Sequence, residues 1–161
     1  MQRLAITYRH QGQLEQAEEL QAQVLKICKQ KLGSDHPDTL SIMQNLAITY
    51  ESQGQLQQAE ELQAQVLKIR KQKLGSDHPD TLDIMQNLAI TYRSQGQLEQ
   101  AEELQAQVLK ICKQKLGSDH PDTLDIMQNL AITYRRQGQL QQAEELKAQI
   151  LKIQDKKGLR S

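Results

Sequence analysis

Three histidines, His36, His78 and His120, each stand directly before a proline and recur at one 42-residue interval. Imidazole serves acid–base and metal chemistry near neutral pH. Ligands of one ion must converge within a few ångströms, which side chains a full repeat apart cannot do. Their place before proline assigns them to the start of a helix. Cys28 and Cys112 fill one slot in two copies of the same segment, where Arg70 and Gln154 stand in the others. Helical layers about 10 Å apart hold the two sulfurs beyond the roughly 7 Å Cα limit for a disulfide. They read as free thiols of a reducing compartment. A slot shared with arginine and glutamine predicts a solvated position. Thr39, Thr81 and Thr123 read as first-turn helix residues rather than nucleophiles. No glycine-rich phosphate loop, no metal-spaced Cys/His cluster and no nucleophile with a base is present. The sequence therefore predicts no enzyme, no cofactor and no metal site.

The elements holding these residues follow from the repeat. The 161 residues contain no Trp and no Phe, and the only aromatics are Tyr8, Tyr50, Tyr92 and Tyr134. A closed globular core normally uses more aromatic volume. Residues 43–84 recur as 85–126 with three changes, at Glu51/Arg93, Gln57/Glu99 and Arg70/Cys112. Residues 1–42 are a first copy that starts inside its first helix, and 127–161 are a fourth whose end diverges. The whole chain reads as one array of four units. Gly75, just past a lysine-rich stretch, predicts a left-handed helix stop, and Pro79 suits a first helical turn. Helix A of each unit spans about Pro37 to Gln53, with Leu40, Met43, Leu46, Ala47 and Tyr50 on one face. Helix B spans about Leu56 to Leu74, with Leu56, Ala59, Leu62, Val66, Ile69 and Leu74 along its stripe. Gln53-Gly54-Gln55 is too short for anything but an antiparallel hairpin. One hairpin cannot bury both stripes, so neighbours must stack.

Charge and hydropathy narrow the partners. Twenty basic and twenty acidic side chains give a formal net charge of zero, which weighs against nucleic acid, whose phosphates select a basic excess. No apolar run approaches the roughly 20 residues of a membrane span. The start lacks a secretory pattern, so a cytoplasmic protein is expected. Neither terminal helix carries a convincing polar cap. Arrays need such caps, so self-association through the terminal helices is expected.

The run Leu46-Ala47-x-x-Tyr50, then Gly54, then Ala59, resembles the tetratricopeptide signature. Its 42-residue length resembles the kinesin-light-chain class. The wording Leu-Gly-x-Asp-His-Pro-Asp-Thr-Leu is similar to the repeat arrays of fungal and bacterial nucleotide-binding receptors. Gln63 departs from the usual aromatic on helix B, and Val66 from a small residue. The resemblance implies an all-α, right-handed superhelical solenoid of antiparallel helix pairs. It also implies that the A helices line a concave groove holding a peptide or helix of a partner protein. By motif, the groove presents Gln44, Asn45, Ile48, Glu51 and Ser52 in the second copy. The third presents Asp83, Gln86, Asn87, Ile90, Arg93 and Ser94. The fourth presents Asp125, Gln128, Asn129, Ile132, Arg135 and Arg136. Asn45, Asn87 and Asn129 offer donor and acceptor together for a peptide backbone. Arg3 replaces that asparagine in the first copy, and His10 is unique to it. Most differences between copies fall on these A-helix slots, and Arg93, Arg135 and Arg136 make the later part basic. A carboxylate-bearing peptide fits that charge. The alternative function is a structural scaffold or self-assembling array without a dedicated ligand.

Overall fold

The computed structural model of the chain describes residues 7–9 and 11–158, so Arg3 and His10 lie outside the described residues. Every described element is a helix. The first, α1, is described over residues 7–9. It is followed by α2 (Leu14–Leu32), α3 (Pro37–Ser52), α4 (Leu56–Leu74), α5 (Pro79–Ser94), α6 (Leu98–Lys115), α7 (Pro121–Arg136) and α8 (Leu140–Gly158). Odd-numbered helices are the A helices of the repeat and even-numbered ones the B helices. Both sets of bounds agree with the sequence expectation to within a residue.

Local chemistry sets these bounds. Helices α3, α5 and α7 each open on proline, and the preceding histidine caps each of them. The Nδ1 atoms of His36, His78 and His120 accept the backbone N–H of Asp38, Asp80 and Asp122, each at 3.2 Å. Helices α2 and α4 end at glycine with basic residues in the last turn, Lys71 and Lys73 in α4, which suits the negative helix end. Gly75 has φ 92° and ψ 164°. That is positive φ with an extended ψ, a region open essentially to glycine alone, and not the left-handed helical stop expected. A Cβ there would also press on Asp77 Oδ1 at 3.4 Å.

The chain forms two compact units, Met1–Ile84 and Met85–Ser161. In the first, α3 packs against both α2 and α4; in the second, α7 packs against both α6 and α8. The A-helix core is as expected at Leu40, Met43, Leu46 and Ala47, all buried, and it adds Ile42, Thr39 and Thr49. Tyr50, Tyr92 and Tyr134 are only half-buried, so small and aliphatic side chains carry the core. On α4 the buried line is Ala59, Gln63, Val66, Leu67 and Arg70. Leu56, Leu62 and Ile69 are half-buried and Leu74 is exposed. The expected stripe is thus rotated, because two polar residues sit on the covered side.

The Cys28 slot corrects a second expectation. Cys112 and Arg70 are buried and only Gln154 is exposed. Arg70 tolerates burial because its Nη1 donates to the Asp80 carbonyl at 2.8 Å. A thiol behaves there as a small apolar group. Both cysteines are free.

Candidate functional site

The A-helix slots recur three and four residues apart, which keeps them on one face of each helix. On α3, Gln44, Asn45, Ile48 and Glu51 are half-buried and Ser52 is exposed. On α5, Gln86, Asn87, Ile90 and Arg93 are half-buried, with Asp83 and Ser94 exposed. On α7, Asn129 is half-buried, while Asp125, Gln128, Arg135 and Arg136 are exposed and Ile132 keeps 45 % of its surface in solvent.

Hydrogen bonds tie part of this face together. In the second unit, Arg93 Nη1 donates to the Asn129 carbonyl at 3.2 Å and meets Asn129 Oδ1 at 3.5 Å. Arg136 Nη1 donates to the Arg93 carbonyl at 3.1 Å. Asn129 Nδ2 donates back to the Asp125 carbonyl at 3.2 Å. Arg93, Asn129 and Arg136 therefore meet, and the Asn129 carboxamide is engaged within the protein. Burial, then the neighbouring Arg136 cation, push the Arg93 guanidinium below its ordinary value.

Beneath this face lies a buried layer that sequence reasoning missed. Thr49 Oγ1 donates to Gln21 Oε1 at 2.8 Å, and Thr133 Oγ1 to Gln105 Oε1 at 2.7 Å. Gln63 Nε2 donates to Glu51 Oε1 at 2.6 Å. The signal was a glutamine recurring on the apolar side of helix B, with a threonine 28 residues ahead. A second tie joins Gln53 Nε2 to Glu18 and Gln137 Nε2 to Glu102, each at 2.9 Å. Burial, and next the charge of Glu18 or Glu102, raise the Tyr50 and Tyr134 hydroxyls above their usual range.

This geometry of paired helices, with alanines where they meet and tyrosine at the A-helix end, matches the tetratricopeptide repeat family model over residues 1–72, 52–114 and 92–156. The chain belongs to the tetratricopeptide repeat family. The kinesin light chain nearly identical TPR-like repeats of Podosopora anserina, a crystal structure, share 40% identity and superpose with a TM-score of 0.87 over 97% of this chain and 74% of that one. A point variant of those same repeats also has 40% identity, with a TM-score of 0.89 over 99% and 75%. BtubC (BKLC) of P. vanneervenii, at 21% identity, has a TM-score of 0.86 over 96% of this chain and 62% of that one, and shares the fold. No curated protein matches the sequence. These likenesses fix the class as a kinesin-light-chain-like, all-α array of tetratricopeptide-type helix hairpins.

The array also holds a shallow trough of about 460 Å³ in its first unit. Leu25, Leu46, Tyr50 and Leu62 line it, with Lys26, Lys29 and Glu61 at the rim. Among the described residues no three His, Cys, Asp or Glu side chains gather as a metal site, and no helix is long and apolar enough to cross a membrane. What the A-helix face offers is amide donors and acceptors, guanidinium groups and isoleucine side chains. Such groups bind.

Proposed function

We propose that this tetratricopeptide array is a non-enzymatic interaction module. It holds a peptide or helix of a partner protein against the A-helix face, in the concave groove that the family resemblance implies. The observation that carries the reading is the α7 face. An exposed isoleucine, Ile132, stands among Gln128, Arg135 and Arg136, combining an apolar anchor with polar groups that fix orientation. Arginine and exposed apolar anchors are the residues that interfaces concentrate. The basic end selects a carboxylate-bearing peptide. A cytoplasmic setting agrees with the two free thiols.

A peptide array probed with the chain and with two variants tests this. Asn87→Ala and the pair Arg135→Ala with Arg136→Ala should each weaken capture of acidic peptides. Unchanged capture by both variants would reject the groove. The family is one whose members generally work by binding, so no hydrolytic or transfer activity should accompany capture.

One observation favours a structural reading beside it. Leu140 and Leu151 on α8 are 61% and 59% exposed, an apolar face suited to stacking on a second copy. Sedimentation equilibrium should then show mass rising with concentration in the absence of ligand. A mass fixed at the monomer value would remove that alternative.

A further inference from the structure

The first three copies differ in how one buried amide is satisfied. In the second copy Gln63 is 1% exposed, and its Nε2 donates to the Glu51 carboxylate at 2.6 Å. In the third copy Arg93 replaces that glutamate. Gln105 there is 0% exposed; its Oε1 accepts from Thr133, and its Nε2 is a buried donor with no acceptor among the described residues. The first copy repeats the arrangement. Gln21 Oε1 accepts from Thr49, while Gln21 Nε2 and Arg9 Nη1 are both buried without an acceptor among the described residues. Among the three copies that carry the glutamine, the one with glutamate in the slot satisfies it, and the two with arginine leave a donor over.

We infer that Arg93 and Gln105 form a receptor for one carboxylate brought by a partner, the external counterpart of Glu51, and that Arg9 and Gln21 form a second. The inference deepens the peptide-binding reading and rests on it. A buried donor without an acceptor carries a free-energy cost that one hydrogen bond removes. Guanidinium offers five donors in a planar fork matched to carboxylate. Arg93 spends Nη1 on Asn129. Its cation stands close to Arg136, whose Nη1 holds the Arg93 carbonyl, and both burial and that neighbour act against its charge. An anion relieves each of these strains together. The second copy shows which anion the pocket accepts, since Glu51 places a carboxylate on Gln63. Arg93 is half-buried and occupies the slot from which, one copy earlier, Glu51 reaches its own glutamine.

Isothermal titration with three tripeptides tests the inference. Ac-Ala-Glu-Ala-amide carries a side-chain carboxylate, Ac-Ala-Ala-Ala a terminal one, and Ac-Ala-Gln-Ala-amide none. The first two separate the sources, and the third should not bind. The chain should take two carboxylates. Arg93→Glu should lose one site and raise the melting temperature, because an internal carboxylate then satisfies Gln105. Glu51→Arg should gain a third site. Gln105→Met, which keeps the volume, should weaken binding at its site by roughly tenfold, the size of one charge-assisted hydrogen bond. Lys110→Glu makes the same charge change on an exposed lysine of α6, outside the A-helix face, and should leave the count at two. Equal weakening by Arg93→Glu and Lys110→Glu would reduce the effect to diffuse charge and overturn the inference. So would side-chain amide spectra showing Gln105 turned over, with Oε1 towards Arg93, and no response to the acidic tripeptide. If Arg93→Glu still captures the array peptides, the groove survives while the carboxylate receptor falls. Loss of capture by the Asn87 and Arg135/Arg136 variants then stands independently.

Discussion

Helices α6 and α8 occupy the same place in successive repeats and share most of their sequence, yet they are buried differently. Leu109 on α6 is 8% exposed, and Leu151, in the same slot of α8, is 59% exposed. Cys112 is buried where Gln154 is exposed, and Gln105 is buried where Lys147 is half-buried. The inner slots do not differ. Val108 and Ile150 are both buried, as are Ala101 and Ala143. The difference is α7, which packs on α6 from the following repeat and on α8 from within its own. A B helix thus has one face assigned by its own hairpin and a second assigned by the next one. Only the second depends on stacking.

The largest test of that comparison is a leucine pair. Leu109→Ala should cost about 2–5 kcal/mol in urea unfolding, as for other buried leucines, and Leu151→Ala should stay within about 0.5 kcal/mol, as at a surface position. Similar costs at both sites would break it. Next, Ala101→Leu and Ala143→Leu should be alike, each losing roughly 1–3 kcal/mol through overpacking, since the inner face is common to both helices. Thr133→Val should follow at about 1–2 kcal/mol, because Gln105 Oε1 then loses its donor; Lys147→Gln on α8 should change little by the same denaturant measurement. Smallest is an acid-side effect in the first unit. Asp35 is held below the ordinary carboxylate range by the hydrogen bond from Lys73 and then by its charge. A depressed carboxylate adds stability above its unfolded value and loses it as pH falls through the folded one, so the window lies below about pH 4. Lys73→Met should flatten that limb of a pH–stability curve. Both groups are exposed, so added salt should shrink the difference.

Much of this was legible in sequence, for local reasons. Pro37 and His36 fix where an A helix begins, and Gly75 fixes where a B helix ends. Each acts on its own backbone, so the bounds of α3 and α4 could be read almost to the residue. Burial on helix B could not. Leu74 looked like core and is exposed, Arg70 looked solvated and is buried, and Gln63, left off the expected stripe, is buried too. Their burial is licensed by partners on other elements: the Glu51 carboxylate for Gln63 and the Asp80 carbonyl for Arg70. Apolar periodicity has no term for a polar group that finds its bond elsewhere. The candidate face divides the same way. Ile132, Arg135 and Arg136 were readable as exposed, but the bonds from Arg93 to Asn129 and from Arg136 to Arg93 span 36 and 43 residues and leave no local trace.

The Thr49–Gln21 and Thr133–Gln105 bonds have a consequence for how the chain can be cut. Each runs forward from a B helix to the A helix that follows, never within one hairpin. Scissors placed at the sequence repeat, before Pro37 or before Pro121, sever this bond. Scissors placed half a period later keep it whole. The repeated sequence unit and this bond are therefore out of phase, and a fragment that keeps the bond should start at a leucine such as Leu98 rather than at a proline.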